Sequence, residues 1–340
     1  MSLLSPLLLL MGCGASSTSQ DTSCVLEDFS YPRDSQLRFS DLQALGTHNS
    51  YHVETTEGQI KEWEYTHAPL ETQLLDQGIR QFELDLYFNS LTGALDVLHV
   101  PYLDPGSNCP TLEDCVQEIA RFSRRNPAHH PLMVLLEFKS SYSEAESDLW
   151  LSRAETVLEN QLGKDRLVLP SEVRGSAASL KEAIADSGWP SLGTLRGKSL
   201  FVLHDGGSLR SRYVETIPSD QWLLFPDARG NLDLDFAAIH AVNDPIGSFD
   251  RIQELVTANH MVRTRADSDL KEGRSQDTAR LMRALESGAH FVSTDFPVPQ
   301  ADIDYVVTIP EGTPSRCNPL STSECTSEDL ENPAFIGNCD

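Results

Sequence analysis

The chain reads Gln-Phe-Glu-Leu-Asp-Leu-Tyr at residues 81–87, an alternation of polar and apolar side chains. Successive side chains of a β-strand point to opposite faces, so a strand here carries Glu83 and Asp85 on one face and its apolar residues on the other. Two neighbouring carboxylates directed into a protein interior repel each other unless a cation or a proton separates them. The alternative is a solvated strand edge or a salt bridge to Arg80. The segment predicts a strand that packs on its apolar face and presents paired acids on the other.

Apolar runs of strand length alternate with helical stretches from about residue 40 to residue 300, which is typical of an α/β fold with a parallel sheet. The predicted strands are Gln43–His48, Gln81–Tyr87, Leu132–Phe138, Ser199–His204, Leu223–Pro226, Ala237–Val242, Met261–Ala266 and His290–Asp295. Eight strands suit a (β/α)8 TIM barrel, and a doubly wound sheet is the alternative. A ninth run, Leu95–Val100, predicts a hairpin behind the second strand. The predicted helices include Leu112–Arg125, Ala145–Gln161 and Thr278–Ser287.

The ends of the predicted strands favour the barrel. Most of them become polar where they lead into the next loop, as at His48-Asn49, Glu137 to Lys139, and Thr294-Asp295. In a TIM barrel the carboxyl ends of all the strands meet at one face, and that face carries the chemistry. So many polar strand ends are difficult to explain as solubility alone, and we therefore predict a single-domain TIM barrel.

Composition excludes several partners. The chain has 340 residues, with 26 Lys and Arg against 51 Asp and Glu, and a formal net charge of −25. Hydrophobic residues at 39% and charged residues at 23% support a large core and exclude a disordered polymer. Nucleic acid is excluded because its phosphates need clustered Lys and Arg. The same charge disfavours electrostatic adhesion to anionic lipid surfaces.

The amino-terminal residues 1–13 predict an export signal. Their Leu-rich run is too short to span a bilayer, and Leu10-Met11-Gly12-Cys13 resembles a bacterial lipobox, in which the Cys becomes lipidated. An ordinary signal peptide cut nearby is the alternative. The remaining divisions are a polar tether and lead-in segment at 14–39, the barrel at 40–310 and an acidic, Cys-containing tail at 311–340. We expect an exported monomer, either secreted or held at a membrane through Cys13.

The cysteine count agrees with export. The seven cysteines are Cys13, Cys24, Cys109, Cys115, Cys317, Cys325 and Cys339. Without Cys13 they number six, which suits three disulfides in an oxidising compartment. Cys109 and Cys115 enclose a short loop and are predicted to pair. A bridge from Cys24 to the tail would join the chain ends.

Four oxygen-bearing side chains suit a metal site. Asn49 follows the first strand, Glu83 and Asp85 lie on the second, and Glu137 lies on the third. Carboxylate and amide oxygens are ligands for a hard divalent cation, Ca²⁺ or Mg²⁺, rather than zinc. A buried Glu137 also needs a partner, and Lys139 on the same face is the simplest one.

Two histidines and two arginines complete the candidate site. His48 ends the first strand and His99 ends the hairpin strand, so both remain free to transfer protons if oxygens hold the metal. Arg263 and Arg265 share a strand face and offer guanidinium groups to an anionic oxygen, typically of a phosphate. Metal, paired histidines and arginines together predict cleavage of a phosphodiester.

The other histidines have simpler interpretations. His52 and His67 fall in the loop after the first strand, where surface or lid positions are expected. His129-His130 precede a proline and suggest a solvated turn. His204 ends a strand before two glycines and is placed to line the pocket, whereas His240 lies inside an apolar strand and is expected to be a core residue.

An ordered set of motifs resembles calcium-dependent phosphoinositide-specific phospholipase C, and most closely its bacterial secreted branch. The motifs are Thr47-His48-Asn49-Ser50-Tyr51, Phe82-Glu83-Leu84-Asp85, Leu98-His99, Leu135-Leu136-Glu137, Val262 to Asp267 and Ser287 to Pro297. The resemblance extends over residues 40–300 and implies the PLC-like phosphodiesterase type of TIM barrel. It also implies Ca²⁺ rather than Mg²⁺ as the cofactor.

The resemblance further implies roles for the site residues. Asn49, Glu83, Asp85 and Glu137 correspond to Ca²⁺ ligands, and Glu83 or Glu137 to the base that activates the inositol 2-hydroxyl. His48 would stabilise charge on the phosphorus, and His99 would protonate the departing diacylglycerol oxygen. A cyclic inositol phosphate is the implied first product. Lys139, Arg263 and Arg265 are the candidate substrate-binding residues, and this part rests on face geometry.

Departures from the family pattern and three other functions bear on the hypothesis. The docking and regulatory domains of the eukaryotic enzymes are missing, and no basic cluster is present to bind a polyphosphorylated inositol.

A glycerophosphodiester phosphodiesterase shares the barrel, but its pattern has His-Arg at the first strand and His-Asp after the hairpin, where this chain has His48-Asn49 and His99-Val100. A glycoside hydrolase would explain paired acids but not the histidines. A non-catalytic lipid-binding lipoprotein would need neither histidine.

Overall fold

The computed structural model describes residues 29–55, 60–139, 143–312, 314–321 and 323–333. The predicted export signal, Cys24 and Cys339 lie outside these residues. Within the described part of the chain, no helix is both long enough and apolar enough to cross a membrane.

Eight parallel strands form the predicted barrel. They are β1 (Leu42–Thr47), β2 (Gln81–Phe88), β4 (Leu132–Phe138), β5 (Ser199–Leu203), β6 (Leu224–Pro226), β7 (Ile239–Ala241), β8 (Met261–Arg265) and β9 (Phe291–Thr294). Their order in the sheet is β6-β5-β4-β2-β1-β9-β8-β7. A parallel bridge between Asp227 and Ile239 joins the two outer strands, with a 3.0 Å hydrogen bond from the Ala228 N–H to the Ile239 carbonyl. The TIM-barrel prediction is confirmed, and the doubly wound alternative is wrong.

Two short strands lie outside the barrel path. β3 (Leu95–Val97) pairs antiparallel with β2, which confirms the predicted hairpin. β10 (Ser315–Cys317) pairs antiparallel with the first half of β1. The predicted tail therefore contributes one strand to the amino-terminal end of the barrel.

Helices surround the sheet. They are α1 (Leu70–Asp76), α2 (Leu112–Arg125), α3 (Glu144–Gln161), α4 (Pro170–Arg174), α5 (Leu180–Ser187), α6 (Leu192–Leu195), α7 (Ser208–Thr216), α8 (Phe249–Thr257), α9 (Lys271–Ser275), α10 (Ala279–Glu286) and α11 (Ser327–Leu330), with 3-10 turns at Phe39–Asp41, Lys61–Trp63 and Lys164–Arg166. Side-chain caps start two long helices, because Thr111 accepts from the Asp114 N–H and Ser143 from the Glu146 N–H. The predicted helices match α2, α3 and α10 to within one residue at each end.

The alternation in β2 works as the sequence predicts. Phe82, Leu84 and Leu86 are fully buried in the apolar core. Glu83 and Asp85 point to the barrel interior, and the parallel register sets Asp85 opposite Glu137 of β4. Register alone thus brings acids from two strands into contact.

The amino-terminal end of the barrel is closed by a buried ion cluster. The Arg80 side chain is fully buried, and its Nε donates to Glu331 Oε2 at 2.8 Å. His130 lies 3.2 Å from the same carboxylate oxygen and 2.5 Å from Ser315 Oγ. The expected solvated turn at His129-His130 is therefore wrong, since both side chains are fully buried. Arg80 is the partner of a tail residue and not of Glu83.

Two disulfides lie in the described residues. Cys109 pairs with Cys115, as predicted, and Cys317 pairs with Cys325 inside the tail. The predicted bridge from Cys24 to the tail then has Cys339 as its remaining partner, and both of these residues lie outside the described part.

Replacing Glu331 with Gln tests the closure of the barrel. Removing one member of a fully buried ion pair leaves an uncompensated charge, so the free energy of unfolding should fall by about 3–5 kcal/mol. Glu172→Gln is the matched control, because Glu172 pairs with Lys198 at 3.1 Å while it is well exposed. The control should change stability by at most about 1 kcal/mol. Urea unfolding measures both, and equal losses would contradict the assignment.

Candidate active site

A cavity of about 200 Å³ opens at the carboxyl ends of the barrel strands. It is lined by His48, Asn49, Glu62, Trp63, Tyr65, His99, Arg265, Asp269 and Asp295. Both predicted catalytic histidines, the predicted ligand Asn49 and the predicted substrate ligand Arg265 therefore face one space. A larger cavity of about 410 Å³ lies between α4, α5 and α7, and none of the predicted site residues lines it.

Crowded carboxylates form the centre of the site. Lys139 Nζ lies 3.3 Å from Asp85 Oδ2 and 2.9 Å from Glu137 Oε2. Apart from Lys139 and an interaction with the Tyr51 hydroxyl, which lowers the pKa of Asp85, the buried Asp85 carboxylate meets no further hydrogen-bond donor among the described residues. Burial, together with the charges of Glu137 and Glu83, raises the pKa of Asp85 to about 8 despite Lys139. Asp85 is thus a buried acid crowded by two others.

Glu83 has the opposite electrostatic environment. Its carboxylate pairs with the guanidinium of Arg263, which also donates to Asn243 Oδ1 at 2.5 Å. Burial raises the pKa of Glu83, but the charges of Arg263, His48 and His204 outweigh burial and bring it to about 2. Arg263 is fully buried and lies outside the cavity lining, so it holds Glu83 rather than facing the open cavity.

His204 joins this centre, although only its position before a Gly-Gly loop indicated that it lines the pocket. Its Nδ1 lies 2.7 Å from Asp227 Oδ2, and its Nε2 lies 4.0 Å from oxygens of both Glu83 and Glu137. The hydrogen bond that His204 donates to the Asp227 carboxylate raises the pKa of His204 against the effect of burial. One potential ligand atom from each of Glu83, Glu137 and His204 lies within 4.8 Å of the other two.

Backbone geometry places Asn49 beside the acids. Asn49 adopts a left-handed conformation with φ of 44°, which asparagine tolerates better than most residues. The next residue, Ser50, donates its N–H to the Glu83 carbonyl at 2.9 Å and accepts from the Glu83 N–H at 2.9 Å. The loop that carries Asn49 is therefore fastened to the strand that carries Glu83.

These donors fit a hard cation. The predicted ligands Asn49, Glu83, Asp85 and Glu137 offer carboxylate and amide oxygens, which Ca²⁺ prefers, and His204 adds one ring nitrogen 4.0 Å from two of the acids. The crowding of Asp85 is the structural observation in its favour, because a buried carboxylate beside two other acids, with Lys139 as its one cation, is costly unless a further cation compensates it.

His48 lies between a carboxylate and a guanidinium. Its Nδ1 lies 2.8 Å from Asp295 Oδ1, and its Nε2 lies 3.2 Å from Arg265 Nη1. Arg265 also contacts Asp295 Oδ2 at 3.2 Å. Because a guanidinium can only donate, His48 carries its hydrogen on Nδ1 in this arrangement. Burial and Arg265 lower the pKa of His48.

His99 has its own carboxylate. His99 Nδ1 lies 2.8 Å from Asp104 Oδ2, and the same oxygen lies 2.7 Å from His52 Nε2. Hydrogen bonds from both histidines lower the pKa of Asp104 to about 2 against the effect of burial. The expected surface or lid positions of His52 and His67 are wrong, since both are buried and His67 Nε2 lies 3.0 Å from the His48 carbonyl.

A family model described as "Phosphoinositide phospholipase C, Ca2+-dependent" matches residues 37–95 and 91–319 of the chain. No curated protein sequence matches the chain at a significant level.

Solved structures from Pseudomonas and Streptomyces share the fold. A calcium-dependent phosphoinositol-specific phospholipase C from a Pseudomonas species is 18% identical, with a TM-score of 0.60, and the match covers 85% of this chain and 98% of that one. A second structure of that enzyme, a myoinositol complex, is 19% identical with a TM-score of 0.56 over 78% of this chain and 93% of that one. A Ca²⁺-dependent phosphatidylinositol-specific phospholipase C from Streptomyces antibioticus is 18% identical, with a TM-score of 0.59 over 77% and 95%. At these identities the likeness establishes the fold.

Replacing Asp85 with Asn tests two effects of the crowded acids, namely lower stability without metal and stabilisation by bound Ca²⁺. Without metal, Asp85→Asn should unfold at a higher temperature than the wild type, because one of three crowded acids is removed. Added Ca²⁺ should stabilise the wild type by about 2.7 kcal/mol at a hundred times its dissociation constant. The variant should lose that gain.

Thermal unfolding with Ca²⁺ and with chelator measures both effects. Asp186→Asn, on the exposed side of α5, is the matched control and should keep the full gain from Ca²⁺. An Asp85→Asn variant that is stabilised by Ca²⁺ as strongly as the wild type would contradict the metal site.

Proposed function

The chain belongs to the calcium-dependent phosphoinositide phospholipase C family, and from this premise we propose that it cleaves phosphatidylinositol-type phospholipids to diacylglycerol and a cyclic inositol phosphate. One observation carries the proposal. His48 and His99 line one cavity, each has its Nδ1 on a separate carboxylate, and Arg265 lines the same cavity while it pairs with Asp295. Two independently held imidazoles suit a reaction that needs one group at the phosphoryl oxygens and another at the leaving group.

The inositol 2-hydroxyl is the proposed nucleophile, and Glu137 is the better of the two candidate bases. Arg263 and two histidines stabilise the charged form of Glu83, which makes it a weak base. Glu137 is partly exposed, with 30% of its side chain accessible, and it lies beside Lys139. The proton of the 2-hydroxyl passes to Glu137 as the oxygen attacks phosphorus. Lys139 is placed to bind an adjacent hydroxyl or phosphoryl oxygen.

His48 and Arg265 are proposed to stabilise the phosphoryl charge. In the free protein they contact each other, so a phosphoryl oxygen would insert between His48 Nε2 and the guanidinium. Asp295 then compensates the positive charge of His48 when that ring donates from Nε2. Preorganised donors of this kind stabilise charge that develops in the transition state.

His99 is the proposed general acid. The proton on its Nε2 passes to the diacylglycerol oxygen as the bond between phosphorus and that oxygen breaks, and the ring remains on Asp104 through Nδ1. A Ca²⁺ ion held by Asn49, Glu83, Asp85 and Glu137 would supply positive charge that acidifies the 2-hydroxyl and neutralises the phosphate.

The head group is proposed to be unphosphorylated or glycan-linked inositol. Among the described residues that line the cavity, Arg265 is the one Lys or Arg, and it is already directed at the reacting phosphate. Additional phosphates on the ring would face Glu62 and Asp269, and the nearby Lys271 is already paired with Asp269 at 2.7 Å.

We also propose that the protein is exported and anchored through a lipid on Cys13. The Leu-rich run before Leu10-Met11-Gly12-Cys13 supports this, as do two disulfides, which suit an oxidising compartment. An anchor would hold a protein of charge −25 at a membrane without basic patches. We propose that the protein is a monomer.

Phosphorus-31 NMR of phosphatidylinositol vesicles tests the activity. With Ca²⁺ the phosphodiester signal should convert to that of a cyclic inositol phosphate, and with chelator it should remain. His48→Ala and His99→Ala should each lower the rate by about 10²- to 10⁴-fold. His240→Ala removes a buried histidine that pairs with His260 outside the cavity, and it should keep the activity.

Two outcomes would overturn the assignment. Conversion of glycerophosphoinositol without conversion of phosphatidylinositol would indicate a glycerophosphodiester phosphodiesterase. Unchanged phosphorus signals with either substrate and with Ca²⁺ would exclude phosphodiester cleavage of this class.

Replacing Cys13 with Ser tests the anchor. In a bacterial host the wild type should fractionate with membranes and carry acyl chains in mass spectrometry, and Cys13→Ser should lose both properties. Light scattering of the resulting soluble protein should give the mass of a monomer. Cys24→Ser is the control, and membrane fractionation equal for all three proteins would contradict lipidation at Cys13.

A further inference from the structure

We propose that His52 is a positioning residue that acts through Asp104 on His99. The inference rests on the proposed function and extends it, because it assigns roles to two residues that no motif of the resemblance contains. The three side chains form a chain in which one oxygen, Asp104 Oδ2, meets both imidazoles, His99 at 2.8 Å and His52 at 2.7 Å.

A tight turn brings His99 and Asp104 together. The Val100 N–H donates to the Asp104 carbonyl at 3.2 Å and the Asp104 N–H to the Val100 carbonyl at 2.9 Å. Tyr102, inside the turn, has a φ of 68°. The turn places the carboxylate beside the ring five residues back in the chain.

A glycine allows the second histidine to approach. His52 and Ser107 form an antiparallel bridge, and the Val53 N–H donates to the Gly106 carbonyl at 3.3 Å. A Cβ at Gly106 would lie 1.9 Å from the Val53 carbonyl oxygen, so a larger residue here would push the two segments apart. Close backbone contact therefore sets His52 against Asp104.

The partners of His52 fix its hydrogens. Its Nδ1 lies 2.9 Å from the Tyr65 carbonyl, and its Nε2 faces the Asp104 carboxylate. Both partners accept, so the ring donates from both nitrogens, and a flipped ring would lose both bonds. His52 has no exposed surface, and Tyr65 stacks on it with ring centroids 4.3 Å apart. A rigid double donor thus holds the carboxylate in one orientation.

The held carboxylate then orients His99. Asp104 accepts from His99 Nδ1, which leaves His99 Nε2 directed away from the acid. Trp63 packs edge-on against the ring at 4.9 Å, and the Tyr87 hydroxyl donates to the His99 carbonyl at 2.9 Å. In the proposed reaction the Nε2 proton goes to the leaving oxygen while Nδ1 keeps its hydrogen on Asp104. Asp104 and His52 exchange no proton in this step.

Leaving-group dependence distinguishes positioning from general structural support. A diacylglycerol leaving group needs the proton of His99, whereas a nitrophenolate leaving group does not, because it is a stable anion. We therefore compare cleavage of phosphatidylinositol micelles with cleavage of 4-nitrophenyl myo-inositol 1-phosphate by the full-length protein in the presence of Ca²⁺. The variants are Asp104→Asn, His52→Phe and His52→Gln, with His99→Ala as the reference.

Each positioning variant should behave as a weaker form of His99→Ala. Asp104→Asn and His52→Phe should slow phosphatidylinositol cleavage by about 10- to 100-fold, the usual effect of removing a residue that orients a functional one. Both should retain most of the activity on the nitrophenyl ester. His52→Gln keeps a side-chain N–H toward Asp104 and should recover part of the loss. His240→Phe is the control for removing a buried histidine and should leave the ratio of the two rates unchanged.

Equal losses on both substrates would overturn the inference, because they would assign His52 and Asp104 a structural role alone. Nitrogen-15 spectra of wild-type histidines give a second test that needs no variant, and a neutral His99 protonated on Nε2 would also overturn it. A wild type that cleaves neither substrate would instead refute the proposed function.

Discussion

Three carboxylates converge inside the barrel, and the cationic side chains around them compensate their negative charge. The parallel register of β2 and β4 sets Asp85 opposite Glu137, and strand alternation adds Glu83 two residues earlier on the same face. Like charges at this spacing in a buried site destabilise one another. Compensation is distributed unevenly, because Arg263 neutralises Glu83 whereas Asp85 and Glu137 share Lys139. Burial and the two neighbouring acids raise the pKa of Asp85 despite Lys139, so a further cation at this position would stabilise its ionised form.

The two ends of the barrel use buried charge in opposite ways. At the amino-terminal end, Arg80 and Glu331 pair with no exposed surface, and the tail that supplies Glu331 is held by the Cys317–Cys325 disulfide and by β10. That end contributes stability and fixes the barrel. At the carboxyl end three acids, Glu83, Asp85 and Glu137, are paired with only two cations, Arg263 and Lys139, among the described residues, and His48 and His99 line the cavity. The closed amino-terminal end therefore contributes stability, and this offsets the repulsion between the acids at the carboxyl end.

Most of the fold and part of the site could be predicted from the sequence. Strand alternation and polar strand ends were sufficient for eight strands, the hairpin and the barrel, since these depend on local patterns. They also located the acids, His48 and His99 near one another. The partners of the histidines were not predictable in this way, because Asp295 is 247 residues from His48 and Asp104 reaches His99 only through a specific turn. His52, His129 and His130 were misjudged for a related reason. Distant segments supply partners to His52 and His130, through Asp104 and Ser315, whereas His129 is buried against Ser123 of the preceding helix.

The two histidine–carboxylate pairs differ in a way that bears on their chemistry. Asp295 meets His48 and also Arg265, so the acid of this pair is shared with a cation that faces the phosphate. Asp104 meets His99 and also His52, so the acid of the other pair is shared with a donor that is buried and faces no substrate. A phosphoryl group entering the cavity can rearrange the first set, because Arg265 and His48 then both turn to the ligand. It cannot rearrange the second set, because His52 is fixed by the Tyr65 carbonyl. In the proposed reaction the first pair would therefore respond to the phosphate, and the second would keep one proton donor in place throughout.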